Sequence, residues 1–273
     1  MAVSNRTGMD DREVGRIWDQ NADTWTQLAR MGCDVYRDYL NTPAFLAMLP
    51  DVAGLRGLDI GCGEGHNTRL VAERGAHMIA LDISQTFLRH AAVAARDAGS
   101  DIACLGANGA ELPFRSEAFD FVMATMSFMD MPEQDRAMRE AYRVLKPAGF
   151  LQFSILHPCF TYGMRKWVYN EDGEKTGVIM GDYYATEQGQ VEEWIFGATP
   201  PELMARLPRF RVPRFDHTLS WWLNALAETG FVLERIEEPV ADKETARACP
   251  DVADTRIVPL SIIVRCRKGG AGL

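Results

Sequence analysis

The chain has 273 residues, 47% of them apolar and 25% charged, with a formal net charge of −9. That length suits one large α/β domain with a lid and leaves little room for two full domains. The acidity works against a phosphate-backbone partner, and no apolar run approaches the ~20 residues that a membrane helix needs.

Residues 1–20 are polar and charged, which predicts neither a signal peptide nor a transit peptide. Six cysteines (Cys33, Cys62, Cys104, Cys159, Cys249 and Cys266) are scattered with no C-x-x-C pair. Free thiols in a reducing cytoplasm are expected, with no disulfide frame and no metal site.

In chain order, residues 1–9 read as a loose terminus. Asp10 to Arg30 predicts a helix with Val14, Ile17, Trp18, Trp25 and Leu28 as its apolar members. A second helix, Asp34 to Leu49, carries Tyr36, Tyr39, Leu40, Phe45 and Leu46, with Pro43 as a kink or split. Together they form a helical cap, residues 1–50, over the carboxyl edge or one flank of the sheet.

Leu58 to Ile60 is short and apolar apart from Asp59, as a buried parallel strand should be. Gly61, Gly63 and Gly65 then allow a sharp turn and close approach to a ligand. Leu70 and Val71 begin the buried side of a helix that Gly75 stops. His77–Asp82 is a second strand ending in an acid, followed by a helix over Ser84–Ala98 and a third strand over Asp101–Gly106.

The fourth strand is Phe119–Met126, with Ser127–Asp130 as its edge loop. Pro132 suits the first turn of a helix that presents Met138, Ala141, Tyr142 and Leu145 on one face. Lys146–Gly149 ends it, and Phe150–Leu156 is strand five. Residues 158–216 are irregular and aromatic, as in a functional lid, with Phe160, Tyr162, Trp167, Trp194 and Phe210 among them. Rhythm resumes with a helix over Thr218–Thr229 capped by Gly230, a strand at Phe231–Ile236 and a last one at Val258–Cys266.

A strand, a glycine turn and a helix N-terminus make a nucleotide-cofactor site at the carboxyl edge of a parallel sheet. The dinucleotide fingerprint G-x-G-x-x-G fails, because His66 stands where its third glycine belongs, which disfavours a nicotinamide oxidoreductase. The spacing from Asp59 to Gly65 is acidic-x-Gly-x-Gly-x-Gly and resembles motif I of the class I S-adenosylmethionine (SAM) dependent methyltransferases. Ala107–Phe114 resembles the Asp-Ala-x-x-Leu-Pro-Phe loop of that family, with Asn108 in place of the acid, and Arg143–Gly149 matches its Arg-Val-Leu-Lys-Pro-x-Gly phrase. Trp18–Trp25 is similar to the segment that such enzymes fold over the cofactor.

The resemblance implies a Rossmann-like three-layer sandwich, with a seven-stranded, mostly parallel sheet and an antiparallel last strand. The domain would run over 51–268 with the lid at 158–216 inside it. It implies SAM as the cofactor, held by Asp59, Gly61, Gly63, Gly65, Asp82, Ile83, Asn108, Gly109, Met126 and Trp25. Asp82, seventeen residues after Gly65, would accept both ribose hydroxyls, and Asn108 with the Gly109 N–H would read the adenine edge. Trp25 either lines the methionine end or is a packing residue.

Methyl transfer requires no protein nucleophile, because the cofactor brings the reactive carbon. A general base is needed only for a protonated acceptor. His157 and His217 flank the lid and are the candidates, against readings as a hinge and a helix cap; Asp130 and Tyr36 are weaker ones. The lid is either a small hydrophobic core or an acceptor pocket, with Tyr36, Trp167, Trp194 and Trp221 as pocket residues. The expected acceptor is a small molecule methylated at O or N. A tRNA or protein acceptor, or a non-catalytic SAM-binding protein, is the alternative.

Overall fold

The computed structural model describes residues 8–161, 163–186 and 188–269; Tyr162 and most of the expected loose terminus lie outside the described residues. Helix α1 (Asp11–Arg30) begins at an Asp10 cap, whose carboxylate accepts the Glu13 N–H at 2.9 Å. The second helix is split, as Pro43 suggests: a π-helical turn over Arg37–Asn41 runs into α2 (Thr42–Met48).

The α/β alternation follows as β1 (Arg56–Ile60), α3 (His66–Ala72), β2 (His77–Asp82), α4 (Gln85–Asp97), β3 (Ala103–Gly106) and β4 (Phe119–Thr125). After a 3-10 turn at Phe128–Asp130 come α5 (Gln134–Val144) and β5 (Leu145–Leu156). Pro132 therefore precedes the helix instead of opening it. The Lys-Pro-Ala-Gly phrase is the bent entry to β5, with Ala148 at φ 59°, and not a separate stop.

Residues 158–216 are more regular than their composition predicts. They hold α6 (Pro158–Thr161), a hairpin of β6 (Met164–Tyr169) and β7 (Lys175–Gly181), then β8 (Gln188–Trp194), α7 (Pro201–Met204) and β9 (Phe210–Phe215), with β8 and β9 antiparallel. The chain closes with α8 (Leu219–Thr229), β10 (Phe231–Glu237), α9 (Lys243–Ala248), a 3-10 turn at Pro250–Arg256 and β11 (Ser261–Lys268).

The main sheet has the order β10-β11-β5-β4-β1-β2-β3. It is parallel from β5 through β3, and the last strand β11 runs antiparallel to both β5 and β10. Alternation along the strands divides the core into two layers. On β4, Val122 faces Met138, Trp222 and Leu226 of α5 and α8, while Phe121 and Met123 face Phe45, Met48 and Val71 of α2 and α3. Each large side chain so enclosed contributes about 1.5–3 kcal/mol, enough to hold the strand tips still. No helix among the described residues is long and apolar enough to cross a membrane.

Strand order reverses between β4 and β1, where a crevice opens at the carboxyl ends. The cap lies over it. Asp19 of α1 accepts the Ser84 hydroxyl at 2.7 Å and the Thr86 N–H at 3.0 Å, which fixes α1 to the start of α4. Asn21 of α1 exchanges two hydrogen bonds with the Arg211 backbone on β9, at 2.7 and 2.9 Å. Cap and insertion thus share one wall.

Candidate functional site

The turn after β1 is built by its glycines. Gly61 adopts φ 73°, and an added Cβ there would stand 2.4 Å from that of Ser127. Gly63 has φ 55°, and its Cβ would meet nothing within 4 Å, so the backbone lies open to a ligand. Glu64 is buried within the turn and pairs with Arg30 at 3.0 Å, Arg69 at 3.2 Å and Arg37 at 3.9 Å. That network ties the turn to the cap and to α3.

Asp82, at the end of β2, is 7% exposed. Its Oδ2 accepts the Gly63 N–H at 2.8 Å and its Oδ1 accepts the Ser84 N–H at 2.8 Å. Each carboxylate oxygen keeps a further lone pair, so the group can still take two hydroxyls. Burial pushes its pKa up to about 6, against the three backbone N–H groups around it. Ile83 and Gly109 line the same crevice.

Asn108 is committed to the protein. Its Oδ1 accepts the Ala110 N–H at 2.9 Å and its Nδ2 donates to Asp11 Oδ2 at 2.7 Å. The carboxylate missing from position 108 is therefore present in space, carried by α1. Asp11 lines the crevice, and burial above all raises its pKa. Sequence reading missed it, because a first-turn acid looks like a partner for the helix dipole.

On the other side of the turn the strand tips carry a polar floor. Asn67 donates to Thr125 at 3.1 Å and accepts from Thr42 at 2.8 Å, while Asn41 spans Ser154 and Ser261. Met126 sits at φ 53°, unfavourable for a side chain with a Cβ, and its N–H is held by the Ser154 carbonyl at 2.9 Å. Beside it stands Asp130, whose pKa burial pushes well up, with Arg214 opposing and Asp216 adding to the rise.

These residues line one cavity of about 590 Å³, which continues under the insertion to Tyr36, Trp167, Trp194, Arg165 and Arg214. The volume lies in the range of about 300–1,000 Å³ that small-molecule and cofactor sites occupy. Trp25 belongs both to the cavity wall and to an aromatic cluster, with ring centroids 4.6 Å from Phe210, 4.9 Å from Phe196 and 5.4 Å from Trp194. The same rings thus form a small hydrophobic core and a part of the cavity wall.

Several expected site residues stand off the cavity. Asp59 is fully buried below the turn; Thr68 donates to its Oδ2 at 2.5 Å, and its Oδ1 has no hydrogen-bond partner among the described residues. Gly65 faces Ala91 of α4, which an added Cβ would approach to 3.0 Å. His157 has both ring nitrogens engaged, Nε2 with Glu238 at 2.8 Å and Nδ1 with the Cys159 N–H at 3.2 Å, which fixes the ring at the end of β5. His217 stacks on Trp221 with centroids 3.6 Å apart, and burial lowers its pKa to about 4. That stack covers the Trp221 face that lies off the helix stripe. Neither histidine nor Trp221 is part of the cavity wall. Position along the chain near the sheet edge does not say which way a side chain packs.

Comparison with known proteins agrees with this geometry. Residues 58–153 match the model of a methyltransferase domain family. The solved S-adenosylmethionine dependent methyltransferase from Mesorhizobium loti superposes with a TM-score of 0.66 at 28% identity, over 82% of this chain and 96% of that one. The chain carries a class I SAM-dependent methyltransferase domain. SAM is the cofactor of that domain.

Two curated relatives align over a shorter stretch. The ubiquinone/menaquinone biosynthesis C-methyltransferase UbiE of Vibrio vulnificus is 36% identical over 36% of this chain and 40% of its own length. The malonyl-[acyl-carrier protein] O-methyltransferase of Pectobacterium atrosepticum is 31% identical over 41% of this chain and 42% of its own. The chain thus spans about two-fifths of the length of these relatives.

The buried acids make stability depend on pH. Burial raises Asp34 to about 6, Asp59 to about 7 and Asp82 to about 6, each from 3.8. A raised pKa means that the folded chain binds these protons more tightly than the unfolded one. Their stabilising contribution is full below pH 4 and is lost as pH rises through 6 to 7, by up to about 1.4 kcal/mol per pH unit for each group. The ligand-free protein should melt at a lower temperature at pH 8 than at pH 5, and Asp82→Asn should flatten part of that slope. A melting temperature that climbs over the same interval in calorimetric scans would contradict the assignment.

Proposed function

We propose that the protein transfers the methyl group of SAM to O or N of a small molecule held beneath the insertion. The observation that carries the reading is the continuity of the cavity. The glycine turn, Asp82 and the Asp11–Asn108 pair line the same cavity as Tyr36, Trp167 and Trp194 under the insertion and as Met126 and Asp130. A donor held by the glycine turn and Asp82 and an acceptor held by the insertion would share that one cavity. Bound there, the cofactor supplies an activated methyl carbon.

The protein's part is to hold, align and enclose. Asp82 offers its remaining lone pairs to the ribose, and the open side of Gly63 allows the backbone to come close. Asp11 and Asn108 together present the polar edge that the adenine meets. Exclusion of water falls to α1 and to the rings around Trp25. Well-oriented reactants gain roughly 7–11 kcal/mol of barrier from such placement. For a protonated acceptor, Asp130 is the carboxyl on the cavity wall nearest in the chain to Met126.

Carbon as the methylated atom is the second reading, favoured by the name of the UbiE relative. Incubation with SAM and host extracts, followed by mass spectrometry, tests both readings: a labelled product is expected with one added methyl group. Fragmentation then assigns the atom, and the absence of any labelled product would count against catalysis. In the same assay His157→Ala and His217→Ala should keep turnover within about threefold of wild type, since general-base loss would cost 10²-fold or more. A 100-fold fall in either variant would return that histidine to the chemistry.

A further inference from the structure

The cavity wall contains three arginines, Arg37, Arg165 and Arg214, and two of them are satisfied by acids. Arg37 pairs with Asp38 at 2.7 Å and donates to the Ala29 carbonyl at 3.0 Å. Arg214 pairs with Asp216 at 2.9 Å and with Glu192. Arg165, on β6, is different: its guanidinium has neither a hydrogen bond nor an ion pair to any described residue, and its Nε is a buried donor with no partner.

What Arg165 does have is a ring. Its guanidinium carbon lies 4.6 Å from the Trp167 ring centroid, a cation–π contact that holds the planar group in place without using its N–H donors. Lys175 sits 4.3 Å from the centroid of the same ring. The acid that would otherwise quench this charge is already taken: Asp254 accepts from Lys175 at 3.0 Å and from the Tyr36 hydroxyl at 3.1 and 3.2 Å. A buried donor and an unpaired cation are costly to maintain. Both costs vanish when an anion with two oxygens enters, because the fork of an arginine matches it bidentately.

We infer that the methyl acceptor carries an oxyanion, a carboxylate or a phosphate, and that Arg165, held against Trp167, anchors it on the insertion's side of the cavity. This deepens the methyltransferase reading and rests on it for the identity of the ligand as an acceptor. The anchor sets which small molecules are retained: acids enter and are held, and their neutral counterparts are not. Arg165 is a specificity residue for the acceptor, carried by β6 of the insertion and not by the glycine turn or the end of β2.

The test is a titration of the full chain, with and without saturating S-adenosylhomocysteine, against benzoate, inorganic phosphate and benzamide as the neutral match for benzoate. Tryptophan fluorescence, to which Trp167 contributes, and calorimetry read the binding. Either benzoate or phosphate is expected to bind at least tenfold more tightly than benzamide, and whichever does so identifies the favoured oxyanion. Arg165→Gln should abolish that preference and Arg165→Lys should restore part of it, with S-adenosylhomocysteine affinity the same in all three proteins. Benzoate and phosphate binding no better than benzamide, or binding Arg165→Gln as well as wild type, would overturn the inference. Failure of S-adenosylhomocysteine itself to bind would strike the methyltransferase reading instead, and the arm without it still decides the anion site.

Discussion

Asp82→Ala should weaken SAM binding by about 10- to 100-fold, the net loss of about 1.5–3 kcal/mol in charge-assisted hydrogen bonding to the ribose. The structure adds a second route to the same loss. The Asp82 carboxylate also holds the Gly63 N–H at 2.8 Å, so its removal frees the turn that must approach the cofactor. Asp82→Asn keeps one acceptor oxygen and should lose less than the alanine variant. Calorimetric titration with SAM measures both, and unchanged affinity in Asp82→Ala would refute the ribose assignment.

Gly61→Ala should be the more damaging change to the site as a whole. A left-handed conformation at φ 73° costs a residue with a Cβ about 1–2 kcal/mol. The new methyl group would also stand 2.4 Å from the Ser127 Cβ and 2.8 Å from its hydroxyl, and overpacking of that kind costs about 1–3 kcal/mol. Ser127 cannot yield freely, because its hydroxyl donates to the Ile60 carbonyl at 2.6 Å. The strain falls between the tips of β1 and β4, on which the glycine turn stands. SAM affinity should drop by about 30-fold or more, with a lowered melting temperature. Gly63→Ala supplies the contrast: at φ 55° it carries the same left-handed cost of about 1–2 kcal/mol, but its Cβ meets no protein atom within 4 Å, so it should lose less stability than Gly61→Ala while binding still suffers. Equal melting temperatures and equal SAM affinities for wild type and Gly61→Ala would show that the turn is not held as described.

What the sequence made legible was local. The glycine turn and the acid closing β2 each follow from a residue's backbone or side-chain chemistry, and both stand where the spacing puts them; the helix caps are Ser84 and Thr218. The sheet followed from strand rhythm and the family resemblance, and β11 is antiparallel as that resemblance implies.

What escaped was tertiary. The hairpins within 158–216 lack a clean alternation, because rings on β8 and β9 pack sideways against Trp25 instead of down onto a sheet. Asp11 reaches Asn108 across 97 positions of chain, a contact that no local pattern announces. His217, just before the Thr218 cap, and Trp221, in the first turn of α8, stack on each other, a pairing that no local pattern announces. Arg165 carries no motif in the sequence, and only the absence of an acid partner among the described residues marks it out.

The cofactor site and the acceptor site make one claim: a single chamber holds donor and acceptor, with the adenosyl group between Asp82 and the Asp11–Asn108 pair. A crystal of the protein grown with S-adenosylhomocysteine tests it most directly. The account predicts the ribose hydroxyls on the two Asp82 oxygens, the adenine amino edge against Asp11 and Asn108, and the sulfur pointing toward Trp167 and Trp194. A nucleoside bound elsewhere, with Asp82 facing only its backbone donors and the crevice closed by side chains, would contradict it.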